Sequence, residues 1–449
     1  MATERDTNVS HPEIMDVKFP NLLEPHDDIY FPQDPEAFLD IDQATEFVKL
    51  AMRQVNDRIV GRERLVEQTL LALISREHQL IYSRTGTAKT LYGQSVLSQF
   101  DGEPFFIQFT RGTTEEAVVG AYDLKEFKKG RIWHRTQNSL VTAELAFLDE
   151  FLDANDMVLR AVLGILNERK FTRGEQNEDA RLHSAIAVTN YMRQSEMAEA
   201  VIDRFLFQAR IDPESTPLNE LLIDRVYSRF NGRVVRPPRQ IPMDALKSLS
   251  AIVKGEDKNR AITASYSILF LKNQIIKNYV RLSNQNRVEE NKADRLYISP
   301  RTIAKARDVI NASALLNHRN HIEGEDLYAL RFVLTTISGN DSKVAEEEEL
   351  FLRAASETLE AFPQRILKVV EDIMTIDEFY ELYRSGSKVE ARGPRRGLLK
   401  SFLNFSGVRN WREVTTETFL KALASIEVDN EVVGVMRDGL AERIKSQSQ

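Results

Sequence analysis

From Ile41 onward, apolar residues recur at three- and four-residue spacing: Ala44, Phe47, Val48, Ala51, Met52 and Val55, then a second run from Leu65 to Leu73. That spacing predicts two amphipathic helices, with Gly61 in RIVGRE as the break between them. The pattern then changes. Short apolar runs at His78 to Tyr82, Pro104 to Phe109, Leu145 to Leu148 and Ala185 to Thr189 alternate with helical or turn-rich stretches. Bounded runs of this kind predict buried parallel strands in a three-layer α/β domain. Beyond Pro213 the strand signal fades, and helical patterns continue to about Leu440.

Residues 1–40 are polar, contain prolines and carry Asp27, Asp28, Asp34 and Asp40, so they are expected to form an extended arm. The run Glu346 to Glu349 is expected to be a solvated first helical turn. His318 and His321 lack further ligands at metal spacing and read as a solvated helix end.

Composition narrows the chemistry. With 449 residues, 42% of them hydrophobic, the chain is long enough for about three domains with cores. A net charge of −8 gives no overall field favouring nucleic acid or anionic lipid. The absence of cysteine excludes disulfides, thiolate catalysis and cysteine-based zinc sites. No leader or membrane span is legible, so a cytoplasmic location is expected.

The stretch LIYSRTGTAKT has the context of a phosphate-binding loop: a strand before it and a helical pattern after it. In the frame G-x-x-x-x-G-K-[ST] it reads Ser83, Arg84, Thr85, Gly86, Thr87, Ala88, Lys89 and Thr90, followed by Leu91. Both frame glycines are replaced, while the lysine and hydroxyl remain. Lysine neutralises phosphate charge, backbone N–H groups cradle phosphate oxygens and the threonine hydroxyl can ligate Mg²⁺.

A second element, LAFLDE, ends a buried apolar run on Asp149 and Glu150. Ionised groups resist burial, so paired acids at this point suit metal and water chemistry, or else a strand ending at an exposed acidic turn. Asn190 ends the run AIAVTN, as a phosphate or water ligand or an ordinary turn asparagine. Arg204 follows an apolar helix in AVIDRF, and Arg301 lies in the first turn of a helix started by Ser299 and Pro300. A cation is disfavoured there by the helix dipole, which a nearby phosphate would offset.

Together IVGRERLVEQTLLAL, TGTAKT, IQFT, LAFLDE, LNERKFTRG, VTN, DRF and SPR resemble the MoxR branch of AAA+ ATPases, and within it the RavA-like proteins. The resemblance implies an AAA+ three-layer αβα P-loop domain with a parallel sheet at 41–215, a helical lid at 216–340 and a mainly helical C-terminal region at 341–449. It implies ATP and Mg²⁺ as ligands, Lys89 and Thr90 as Walker A, Asp149 and Glu150 as Walker B, Asn190 as sensor 1, Arg204 as an arginine finger acting in trans and Arg301 as sensor 2. It also implies a homo-oligomer, typically a hexameric ring, that remodels or activates a client complex, often with a von Willebrand factor A domain partner.

The segment Gly120 to Gln137 resembles the helix-2 insert and is expected to be a β-hairpin, as is KFTRGEQNEDARLHS. Other readings remain: a ring translocase or helicase on nucleic acid, or a nucleotide-gated scaffold with little turnover. Acidic net charge disfavours nucleic acid, and Glu150 argues against a binding-only module. The basic break carrying Arg392, Arg395, Arg396 and Lys400 reads as a solvated loop or a contact for an acidic partner.

Overall fold

The computed structural model describes residues 21–25, 35–193, 195–211, 216–234, 236–237, 239–289, 295–334, 344–386, 402 and 411–447. Most of the expected arm, and Arg392, Arg395, Arg396 and Lys400, lie outside the described residues. The described residues divide into two units. One holds those up to Thr263 together with Leu282–Leu352; the other holds Ala264–Arg281 and those from Arg353 on.

The first unit is built on a parallel sheet of β1 (Gln79–Ser83), β2 (Pro104–Gln108), β3 (Leu145–Asp149), β6 (Ser184–Thr189) and β7 (Phe207–Ile211) in the order β2-β3-β6-β1-β7. All six residues of β6 are buried, and β3 is buried up to its terminal aspartate. Strands covered on both faces need apolar residues at consecutive positions, which explains the short unbroken runs in the sequence. β7, the segment FQARI, was not among the predicted strands; Gln208 and Arg210 interrupt its apolar run, yet it pairs with β1 throughout.

Helices cover both sheet faces and are started by local chemistry. Asp40 caps Ile41–Asn56 by accepting from the Gln43 N–H, and Asn155 caps Asp156–Glu168 by accepting from Val158. Ser299, with Pro300 behind it, starts Pro300–Leu316. Within residues 1–40, Pro35–Leu39 forms a 3-10 helix and Phe38 packs on Phe47 at 5.0 Å. The apolar layer under the sheet includes Leu80, Phe109, Leu148, Phe151, Val162 and Phe205.

Some expectations need correction. Gly120 to Gln137 is no extended hairpin: only Tyr122 and His134 form an antiparallel bridge, and the tip Leu124–Lys128 is a short helix capped by Asp123. Asp123 accepts two backbone N–H bonds there, and an aspartate so placed starts a helix rather than continuing a strand. By contrast, β4 (Lys170–Arg173) and β5 (Gln176–Asp179) form the second hairpin as expected. The acidic run is not simply solvated, because Glu348 accepts from the Tyr328 hydroxyl at 2.8 Å and pairs with Arg64 and Arg331. Nor is His318 free in solvent: it is half-buried against Glu46 and Asp42, and its hydrogen bond to Glu46 raises its pKa.

The second unit is helical. Gln364–Arg384, Thr416–Ala424 and Glu431–Ser446 surround an aromatic cluster in which Phe419 stacks on Phe402 at 5.2 Å and meets Tyr380 edge-on at 5.4 Å. Arg443 ties the last of these helices to Asp377 and Glu381.

Candidate nucleotide site

The loop after β1 leads into the helix Lys89–Leu97 at the C-terminal edge of the sheet. Gly86 has φ +85°, and a Cβ there would meet nothing within 4 Å, so the backbone faces open space. Ala88, the residue before the helix, is left-handed at φ 60° and supplies no side-chain cap. No cap side chain therefore competes for the first N–H groups of the helix, as anion binding requires. Ser83, in place of the first frame glycine, is buried and bonds to the Arg84 carbonyl at 3.0 Å and to the Thr87 hydroxyl. Thr87 also donates to the Arg84 carbonyl at 2.9 Å. The hydroxyls thus brace a loop whose frame glycines are missing.

Behind the loop, Gly93 lies flat on the Phe147 ring of β3; an added Cβ would come within 2.0 Å of that ring. This close approach brings the loop helix down on the strand that ends in Asp149 and Glu150.

Five predicted residues converge here. Thr90 Oγ1 donates to Asp149 Oδ2 at 3.1 Å. Lys89 Nζ donates to the Asn190 side-chain oxygen and lies 3.4 Å from the Ser83 carbonyl. Asn190 Nδ2 donates to Glu150, so its amide connects the lysine to the acid. Glu150 is itself left-handed at φ 49°, and its N–H donates to Asp149 Oδ1 at 3.0 Å. Burial, with Asp149 and Asp153 nearby, raises the Glu150 pKa against the opposing pull of Lys89. Burial lowers that of Lys89, while Glu150 and Asp149 oppose it.

Arg204 and Arg301 are not brought to this cluster. Phe207 pairs with Gln79 at the start of β1, whereas the loop leaves β1 at Ser83, paired with Ile211. At ~3.3 Å per residue the two ends of β1 are about 13 Å apart, and Arg204 lies before Phe207. Arg204 Nη1 binds Asp203 Oδ2 at 2.8 Å, and Arg301 Nη1 lies 3.7 Å from the same oxygen. Arg204 Nε and Arg301 Nη1 are buried without a hydrogen-bond partner. Asp203, the link between them, was not singled out in the sequence, although it stands beside Arg204.

Among the described residues there is no cluster of three or more His, Cys, Asp or Glu side chains able to hold a metal. Thr90 and Asp149 nevertheless suit Mg²⁺, which keeps waters and phosphate oxygens as ligands instead of requiring an all-protein cage.

This strand order, with the loop on β1 between β6 and the edge strand β7 and the acids on β3, defines the AAA+ class of P-loop proteins. Residues 46–250 match the MoxR domain of MoxR-vWA-beta-propeller ternary systems, and residues 268–347 match an AAA lid domain. The chain belongs to the MoxR family of AAA+ ATPases. It is 27% identical over 281 residues to an uncharacterised protein of Methanocaldococcus jannaschii, covering 62% of this chain and 68% of that one. To the chaperone MoxR1 of Mycobacterium tuberculosis it is 28% identical over 165 residues, 36% of this chain and 43% of the other. A crystal structure from Cytophaga hutchinsonii, provisionally assigned as an ATPase, shares the fold at a TM-score of 0.54 and 19% identity, over 71% of this chain and 96% of that one. Among the described residues, no helix is long and apolar enough to cross a membrane.

Proposed function

We propose that this chain hydrolyses ATP with Mg²⁺ as a subunit of a ring, typically a hexamer, and uses the cycle to remodel or activate a partner protein complex. The observation that carries this reading is the convergence of Lys89, Thr90, Asp149, Glu150 and Asn190 on one loop mouth. Residues Ser83 to Leu91 wrap the phosphates, with Lys89 as their mobile cation. Thr90 and Asp149 hold Mg²⁺, which when bound neutralises phosphate charge. Glu150, made more basic by its surroundings, takes a proton from the attacking water, and Asn190 keeps that carboxylate and Lys89 in register.

Arg204 and Arg301 lie at the opposite end of β1 from their own loop and complete the site of an adjacent subunit, where they stabilise charge in the transition state. In this reading residues 41–215 bind nucleotide, 216–340 form the lid that carries Arg301, and 341–449 dock a partner. The description of the matching family supports a von Willebrand factor A domain protein as that partner, with a β-propeller component in the same system. The motif set favours the RavA-like branch, and the cytoplasm is the place of action in this reading. The test is Lys89→Ala: it should abolish binding of a fluorescent ATP analogue in titration, and unchanged affinity would refute the loop assignment.

A further inference from the structure

Glu77 stands just ahead of β1, is 3% exposed and takes no part in the site above. Its Oε1 accepts from Lys254 at 2.8 Å and its Oε2 from Lys305 at 2.6 Å. Lys254, at the end of helix Met243–Val253, also donates to Asp308 at 2.7 Å. Two carboxylates and two ammonium groups thus form one network around Glu77, and the buried Arg169 guanidinium adds a further attractive interaction with the Glu77 carboxylate. Removing the buried carboxylate at its centre leaves the cations around it unpaired, so the network holds its elements together firmly. Burial pushes the Glu77 pKa up, but the two ammonium groups outweigh it and hold the carboxyl below its usual value.

Lys305 and Asp308 belong to Pro300–Leu316, one and two turns beyond Arg301, and the three share one helix face. At Arg301 this face meets Asp203; at Lys305 it meets Glu77. β1 begins two residues after Glu77 and ends at the phosphate loop. We propose that Glu77 is a positioning residue that fastens the Arg301 helix to the base of the P-loop strand, so that Arg301 is presented to the adjacent subunit in step with its own subunit's loop. This rests on the reading of Arg301 as a residue acting in trans.

The experiment compares Glu77→Gln, Arg301→Ala and the double variant in the full-length chain. Glu77→Gln should keep the Kd for a fluorescent ATP analogue within about twofold while turnover falls roughly tenfold, and it should add less than about twofold to the loss from Arg301→Ala. Amide exchange gives a readout independent of turnover: Thr302 to Lys305 should exchange faster in Glu77→Gln while Lys89–Leu97 is unchanged. Full turnover in a folded Glu77→Gln protein, or losses that multiply in the double variant, would overturn the proposal. If Glu77→Gln does not fold, Lys305→Met, whose side chain is 31% exposed, decides by the same readings. Wild-type turnover in Arg301→Ala would be a separate failure, that of the site assignment, and is read without touching Glu77.

Discussion

Arg204 and Arg301, distant in the chain, share one carboxylate: Arg204 bonds to Asp203 at 2.8 Å, and Arg301 stands 3.7 Å from the same oxygen. Both are held at the end of the sheet away from their own phosphate loop. A guanidinium placed there cannot serve its own nucleotide without a large rearrangement. If Arg301 acts in trans as proposed, Arg301→Ala should leave ATP affinity of an isolated subunit within about twofold and lower ring turnover at least tenfold, since the lost contact would belong to a neighbour's transition state. Nucleotide titration at dilutions that dissociate the ring, set against steady-state turnover of the assembled ring, checks both halves.

Glu150 is predicted to set the acid limb of the rate profile. Its pKa is raised by burial and by Asp149 and Asp153, and the group must be ionised to accept a proton from water. Turnover should fall as pH drops through that raised value, so the limb lies above the ordinary carboxyl value of 4.5. Glu150→Gln keeps the shape and loses the base; it should still bind ATP, turn over roughly 100-fold more slowly and show no such limb. A pH series of kcat/KM on both proteins, which reports the groups of the free enzyme, reads this directly.

Gly93 reports how tightly the loop helix sits on β3. In a helix, alanine is normally favoured over glycine by about 1 kcal/mol. Here a Cβ would fall 2.0 Å from the buried Phe147 ring, so Gly93→Ala should destabilise the protein by about 1–3 kcal/mol instead. Adding Phe147→Leu should restore part of the loss, because the shorter side chain yields the space. Denaturant melts of the single and double variants test the sign and the rescue.

The sheet was largely legible because four of its five strands carry unbroken apolar runs, the mark of buried parallel strands, although β2, at one edge, is not buried as expected: its residues are half-buried or exposed. β7 did not: it sits at the sheet edge beside β1, where Gln208 and Arg210 are tolerated. The phosphate loop and its acids could be read because their chemistry is local, a few residues at fixed spacing. Asp203, Glu77 and the turn of Glu348 toward Arg64 and Arg331 could not, since each depends on partners far along the chain. Similarly, the helix Tyr266–Glu289 is one periodic run that contributes to both compact units, and periodicity carries no mark of where a helix changes its packing partners.

The most direct test of a site shared between subunits mixes two inactive proteins, Arg204→Ala and Glu150→Gln, under conditions where rings exchange subunits. An Arg204→Ala subunit keeps Glu150 and its whole phosphate loop, and an adjacent Glu150→Gln subunit lends it Arg204. Activity should reappear, rising with the fraction of mixed interfaces. Mixed rings, verified by mass, that stay as inactive as either parent would contradict the account, provided that a small dose of Glu150→Gln leaves wild-type rings turning over.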